Sequence, residues 1–220
     1  MNSLDSRFLR LGDTFAQKFS RPGRYSYDFN LPILNRINKA DGQFAIDVKE
    51  SGDKKREGRQ HYVIVRQQAN KQLKADPAEL SIDSGDVVMW SAADAATPGF
   101  SISGYSETDS FNSAALSNEA LYTHAFGSPG EVEWEDANGH DLSGKIVVKM
   151  PQTKSAKDLE YYNETLTKGA LVVIRGESVE PATLEISVGQ TVFFAVEKAD
   201  GVTITDCQLG FEIPVPYPIP

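Results

Sequence analysis

Cysteine is nearly absent from this 220-residue chain: Cys207 stands alone, so no internal disulfide can form. Histidine is scarce too, at three, which limits the metal chemistry its side chains can offer. No apolar run approaches the roughly 20 residues that a bilayer span needs, so none is expected. The opening MNSLDSRFLRLGD lacks the apolar stretch of a signal peptide. The chain is therefore expected in the cytoplasm as written, or exported if this is a mature form. Basic residues are in deficit, 22 against 31 acidic, for a net charge of −9. That balance argues against nucleic acid and anionic membranes as partners. Ser/His/Asp order, a nucleophile elbow and a phosphate-cradling loop are all missing, so no enzymatic activity is expected.

What the chain has is period-two alternation, and it has it twice. In Leu121–Met150, Tyr122, His124 and Phe126 alternate into a Ser-Pro-Gly turn. Val132 and Trp134 alternate beyond it, and a polar loop leads to Gly144 and a β-branched run. The pattern predicts strand, turn, strand, loop, strand. Residues 4–49 repeat it at an offset of 107, with Pro22-Gly23 falling on Pro129-Gly130. Leu4, Ser6 and Leu9 fall on Phe111, Ser113 and Leu116; Phe15, Gln17 and Phe19 fall on Tyr122, His124 and Phe126. The spacing Leu4, Phe8, Leu11, Phe15 also permits an amphipathic helix, but the shared register favours strands.

A second unit recurs at an offset of 104. In 77–90, PAELSIDSGDVVMW, Leu80, Ile82 and Gly85 correspond to Leu184, Ile186 and Gly189 of 181–194. Each copy reads as two strands about a Gly turn. Residues 51–60 form a charged linker. In 151–168, Ser155 and Asp158 make a capping box, Leu159, Tyr162 and Leu166 share a face, and Gly169 can stop the helix. A short amphipathic helix packed on a sheet is expected there. The tail FEIPVPYPIP, 211–220, alternates Ile213, Val215, Tyr217 and Ile219 with prolines. An extended chain of this kind can donate from one side only, which suits an edge strand docking on a protein partner.

The unit containing Pro-Gly can be called the back half and the unit starting Pro-Ala the front half. The order is back (4–49), front (61–105), back (106–150), front (170–210). The expected arrangement is one contiguous sandwich from 61–150 and a second assembled from 1–50 and 169–210. That second one is permuted within the chain or swapped between chains, and a swap would build a homo-oligomer or filament.

These halves resemble the cupredoxin fold of blue copper proteins and of the repeated domains of multicopper oxidases. The resemblance is carried by PAELSIDSGDVVMW, FNSAAL, LYTHAF, SPGEVEW and GKIVV. It implies an all-β protein of two Greek-key β-sandwiches. In that family one histidine follows the VVMW-like strand, and a Cys-x-x-His-x-x-Met set precedes the last strand. Here 97–103, TPGFSIS, has no histidine, and Asp136, Gly139 and Leu142 fall where cysteine, histidine and methionine would stand. His140 is one residue off. In the other copy Phe29 takes the cysteine position, and Gly201–Ile204 has no histidine.

Without a thiolate no blue copper site forms, so no cofactor is expected. The expected role is a structural or accessory subunit acting on protein partners, itself or a larger complex, through Ile213, Val215, Tyr217 and Ile219. The competing expectation is an atypical copper or other metal site at His140, Asp136 and His124, serving metal binding or electron transfer. His61 has no evident partner, Cys207 reads as a small buried hydrophobe, and Glu131, Glu133 and Glu135 read as a solvated strand face.

Overall fold

Alternate side chains of most strands turn inward, as the period-two pattern requires. In Asp86–Ala92, residues 86, 88, 90 and 92 are buried and those between are partly exposed. The computed structural model describes residues 3–31, 44–52 and 56–207, and apart from one helix it is all β. The back half at the start gives β1 (Asp13–Phe19), β2 (Gly23–Asn30) and β3 (Phe44–Lys49). The front half after it gives β4 (Gln60–Gln67), β5 (Leu73–Asp76), β6 (Glu79–Asp83), β7 (Asp86–Ala92) and β8 (Ser101–Tyr105). β9 (Ser110–Asn112) leads to the second back half: β10 (Ala120–Ala125), β11 (Gly130–Asp136) and β12 (Ser143–Lys149). After helix α1 (Ala156–Lys168) come β13 (Ala170–Arg175), β14 (Ser178–Glu180), β15 (Thr183–Ser187), β16 (Thr191–Glu197) and β17 (Ile204–Asp206).

Three sheets result. One of eight strands runs β14-β13-β16-β10-β1-β7-β4-β5. A five-stranded sheet, β6-β3-β2-β8-β9, packs on its β1–β7 side, and a four-stranded sheet, β15-β12-β11-β17, packs on its β10–β16 side. The first contact is aromatic: Trp90 of β7 meets Tyr27 edge-on at 5.7 Å and stacks on Phe111 at 5.4 Å. In the second, Trp134 of β11 meets Phe194 of β16 at 5.6 Å. Stacked or edge-on rings of this kind add about 1 kcal/mol each to the area they bury. Trp134 can lie flat because its cross-strand partner is Gly144. A Cβ there would come within 2.7 Å of the indole Nε1.

The halves that pair differ from the expected ones. The back strands of 4–49 join the front strands of 61–105, through β1–β7, β3–β6 and β2–β8. Those of 106–150 join 170–206, through β10–β16, β12–β15 and β11–β17. Residues 61–150 therefore do not make one sandwich, and the chain ends do not assemble a permuted one. The repeat fixes which residues correspond, and both pairings satisfy it equally. Proximity along the chain decides between them: consecutive elements normally lie side by side.

The exchange that does occur is small. Ser6 N–H donates to Ile204 O, and Ser6 Oγ accepts from Ile204 N–H at 2.9 Å. Asp206 N–H donates to Leu4 O at 2.7 Å. The leading segment of the first back half thus lies on the second sandwich. In return β9 pairs with β8 in the first, where Ser113 Oγ accepts from Ile102 N–H at 2.9 Å.

α1 begins and ends as the sequence predicts, with the Ser155–Asp158 capping box and Gly169 at its C-terminal end. It docks less than its apolar face suggests. Tyr162 OH donates to Val188 O at 2.7 Å, but no residue of the helix is buried and Leu159 is half exposed.

Candidate functional site

Asp136 closes β11 with its carboxylate turned inward. Oδ1 accepts from Thr203 N–H at 2.6 Å and from Asn138 N–H at 3.2 Å. Oδ2 accepts from His140 N–H at 3.0 Å and is also bonded to His140 Nδ1. One buried carboxylate therefore ties the 137–142 loop to Thr203, the residue just before β17. This brings together two places where the resemblance puts copper ligands, Asp136 and the 201–204 segment, and fills them with hydrogen bonds. In the first sandwich Phe29 meets Phe100 at 5.5 Å and Phe44 at 5.0 Å, so rings occupy the corresponding space.

His124 lies elsewhere. Strand register puts it opposite Asp13, and its Nδ1 is 2.6 Å from Asp13 Oδ1. The same oxygen accepts from Tyr122 OH at 3.2 Å, while Arg10 N–H donates to Oδ2 at 2.9 Å. Burial, reinforced by the Asp13 carboxylate, pushes the Tyr122 phenol well above its ordinary range. Asp13 escapes a sequence reading because it is 111 residues from His124. The one signal is that the pair breaks the repeat: the counterparts are Gln17 and Ala120.

His61, which seemed partnerless, bonds Asp86 Oδ2 through Nε2 at 2.9 Å. Burial alone would raise the Asp86 pKa. Hydrogen bonds from Arg59 N–H, His61, Asp83 N–H and Arg56 outweigh it and hold the carboxyl well below the usual carboxylate range. In the second copy Gln190 takes this place, accepting from Ser187 N–H at 3.1 Å and donating to Gly169 O at 2.9 Å. All three histidines of the chain are thus bonded to an aspartate that is at least nine-tenths buried.

His140, Asp136 and His124 do not form one group. No set of three His, Cys, Asp or Glu side chains suited to a metal occurs among the described residues. Cys207 is only half-buried and lines a shallow acidic cleft with Glu131, Glu133 and Asp206. Burial, then Glu135, Asp206 and Glu133, raise its thiol pKa. The tail residues Ile213, Val215, Tyr217 and Ile219 lie outside the described residues.

A broader feature is the outward face of the eight-stranded sheet. Both smaller sheets cover the same side of it; neither covers the other side, where Ala16 and Thr123 at the centre are buried and the residues around them are partly or well exposed. One cross-strand row there reads Tyr62, Met89, Ala16, Leu121, Ala195, Val173. The next reads Ile64, Ser91, Thr14, Thr123, Phe193, Leu171. Neither row carries a charge. Tyr62 is 59% and Leu171 53% exposed. The solvated face of a sheet covered on one side only is ordinarily polar, so two uncharged rows are unexpected in this mixed sheet. Sequence reading passed over this face because VVMW, LVVI and VFF look like strands buried on both sides.

No described helix is long and apolar enough to cross a membrane. No protein-family model, curated protein or solved structure matches the chain.

Proposed function

We propose that this chain is a non-catalytic structural or accessory subunit that works through protein–protein contacts. It reads as two cupredoxin-like sandwiches whose former ligand positions now serve the scaffold. The uncharged outward face of the eight-stranded sheet carries the proposal. An uncharged, largely apolar face of that breadth is the ordinary mark of an interaction surface. The use of every histidine supports it. Three imidazoles bonded to buried aspartates act as buckles between strands and loops, which suits a rigid support.

Hydroxyl-radical footprinting tests this. Tyr62 and Met89 are labelled in dilute purified protein and in extract of the native host. Strong protection in the extract is the expected result, and a face left unprotected there overturns the proposal. Metal analysis of chain purified without chelators gives a second check, because one copper per chain would overturn it too.

A further inference from the structure

We infer that the outward face of the eight-stranded sheet is a homodimer interface, closed by a second copy of this chain. The inference rests on the protein-contact role proposed above and names the partner for it.

The shape of the face supports this. β1 and β10 pair antiparallel with Phe15 opposite its own counterpart, Tyr122, so a pseudo-two-fold axis runs through the sheet there. The axis exchanges the two outward rows and sets their bulk on one diagonal. Tyr62 and Met89 stand at one corner, and Phe193 and Leu171 at the opposite one. The other diagonal carries smaller side chains at Ser91, Ala195 and Val173, with Ile64 equal in size to Leu171. A second copy can be laid face to face about a two-fold axis lying in the sheet and parallel to β1. Tyr62 and Met89 then cover Val173 and Ala195 of that copy, and Leu121 covers its Ala16. With the axis turned across the strands, Tyr62 and Met89 cover Ile64 and Ser91 instead. Apart from Ile64 on Leu171 about the first axis, large meets small either way, which is the self-complementarity that an isologous contact demands.

Size agrees. The two rows cross six strands, β4 to β13. Six strands about 4.8 Å apart, in contact over about six residues of 3.3 Å rise once the margin row holding Lys18, Glu197 and Arg175 is included, span roughly 600 Å² per copy. Two such faces bury about 1,200 Å², the lower end of stable interfaces. Charge agrees as well. At the margins Lys18 pairs with Glu119 at 3.0 Å and Arg175 with Glu197 at 2.6 Å. The exposed glutamates of the acidic strand, Glu131, Glu133 and Glu135, belong to β11 in a different sheet. The face can therefore meet its own copy without concentrating the net charge of −9.

Sedimentation velocity of the full chain, from about 10 nM to about 100 µM, tests the inference across the affinity range such an area supports. The expected result is a concentration-dependent monomer–dimer shift. Leu171→Glu and Tyr62→Glu should weaken it at least tenfold. Tyr105→Glu, at an exposed site on the five-stranded sheet, should leave it unchanged. Wild-type protein that stays monomeric throughout overturns the inference, and so does a folded Leu171→Glu protein that dimerises like wild type. If a variant fails to fold, footprinting of wild-type Met89 and Phe193 decides: protection rising with concentration supports the dimer, and constant labelling overturns it. A monomer whose face is nevertheless protected in host extract defeats the dimer alone. A face unprotected in both settings defeats the proposed role as well.

Discussion

Phe15 and Tyr122 face each other across β1 and β10, and each is the other's counterpart in the repeat. Moving out from this pair, Asp13 meets His124 on one side and Gln17 meets Ala120 on the other. These two pairings would be equivalent in a perfect repeat. Only one of them has become a buried carboxylate–imidazole pair.

That asymmetry predicts unequal costs. Asp13→Ala removes the acceptor for His124 and Tyr122 together and should destabilise by about 3 kcal/mol. Gln17→Ala, at the half-exposed counterpart of His124, should cost under about 1 kcal/mol. Urea unfolding followed by tryptophan fluorescence measures both.

The exchanged leading segments predict a matched pair of effects. Ser6 Oγ serves Ile204 N–H, and Ser113 Oγ serves Ile102 N–H. Each Ser→Ala change strands one buried donor and should cost about 1–3 kcal/mol. The two sites share no partner, so the double variant should lose the sum. A marked excess over the sum in chemical denaturation would mean that the two crossings are coupled.

Asp86 sets a pH dependence whose sign follows from its environment. Its folded pKa is depressed below the unfolded value of about 3.9. The stabilisation is therefore complete above that value and is lost as pH falls through the lower folded one. Asp86→Asn should be destabilised most at neutral pH, and its gap from wild type should shrink below about pH 4. Thermal melts at a series of pH values give the comparison.

Gly144 predicts a steric effect. Ala at this site would press a Cβ into the indole ring of Trp134, a buried side chain packed on Phe194. The strain should cost about 1–3 kcal/mol and shift tryptophan emission. Unchanged stability would mean that β11 and β12 can part to admit a methyl group.

Much of the scaffold was legible in the residues. The Pro-Gly turns and alternating aromatics located the strands, and Ser155 and Gly169 marked the helix ends. The pairing of halves was not legible, because correspondence between copies is silent about which copies touch. Asp13, Asp86 and Asp136 were equally hidden as anchors for histidines. Asp13 lies 111 residues from its histidine, and Asp86 lies 25 from its own. Register in the folded sheets brings the first pair together and the parallel β4–β7 pairing the second. Asp136 is only four residues from His140, but its burial depends on Thr203, far along the chain.

The contact between 4–6 and 204–206 has a mechanical consequence. The two segments run antiparallel, with Leu4 beside Asp206 at the outer end of the pairing. Tension applied between residues 3 and 207 reaches the Leu4–Asp206 bond first and the Ser6–Ile204 bonds next. Bonds loaded one after another yield at far lower force than bonds loaded in parallel. A pulled molecule should first peel residues 3–6 from the second sandwich while Leu9 stays bridged to Phe100 of the first and both aromatic cores hold. The contact between 4–6 and 204–206 is thus a soft extensible joint in series with the two stiff sandwiches.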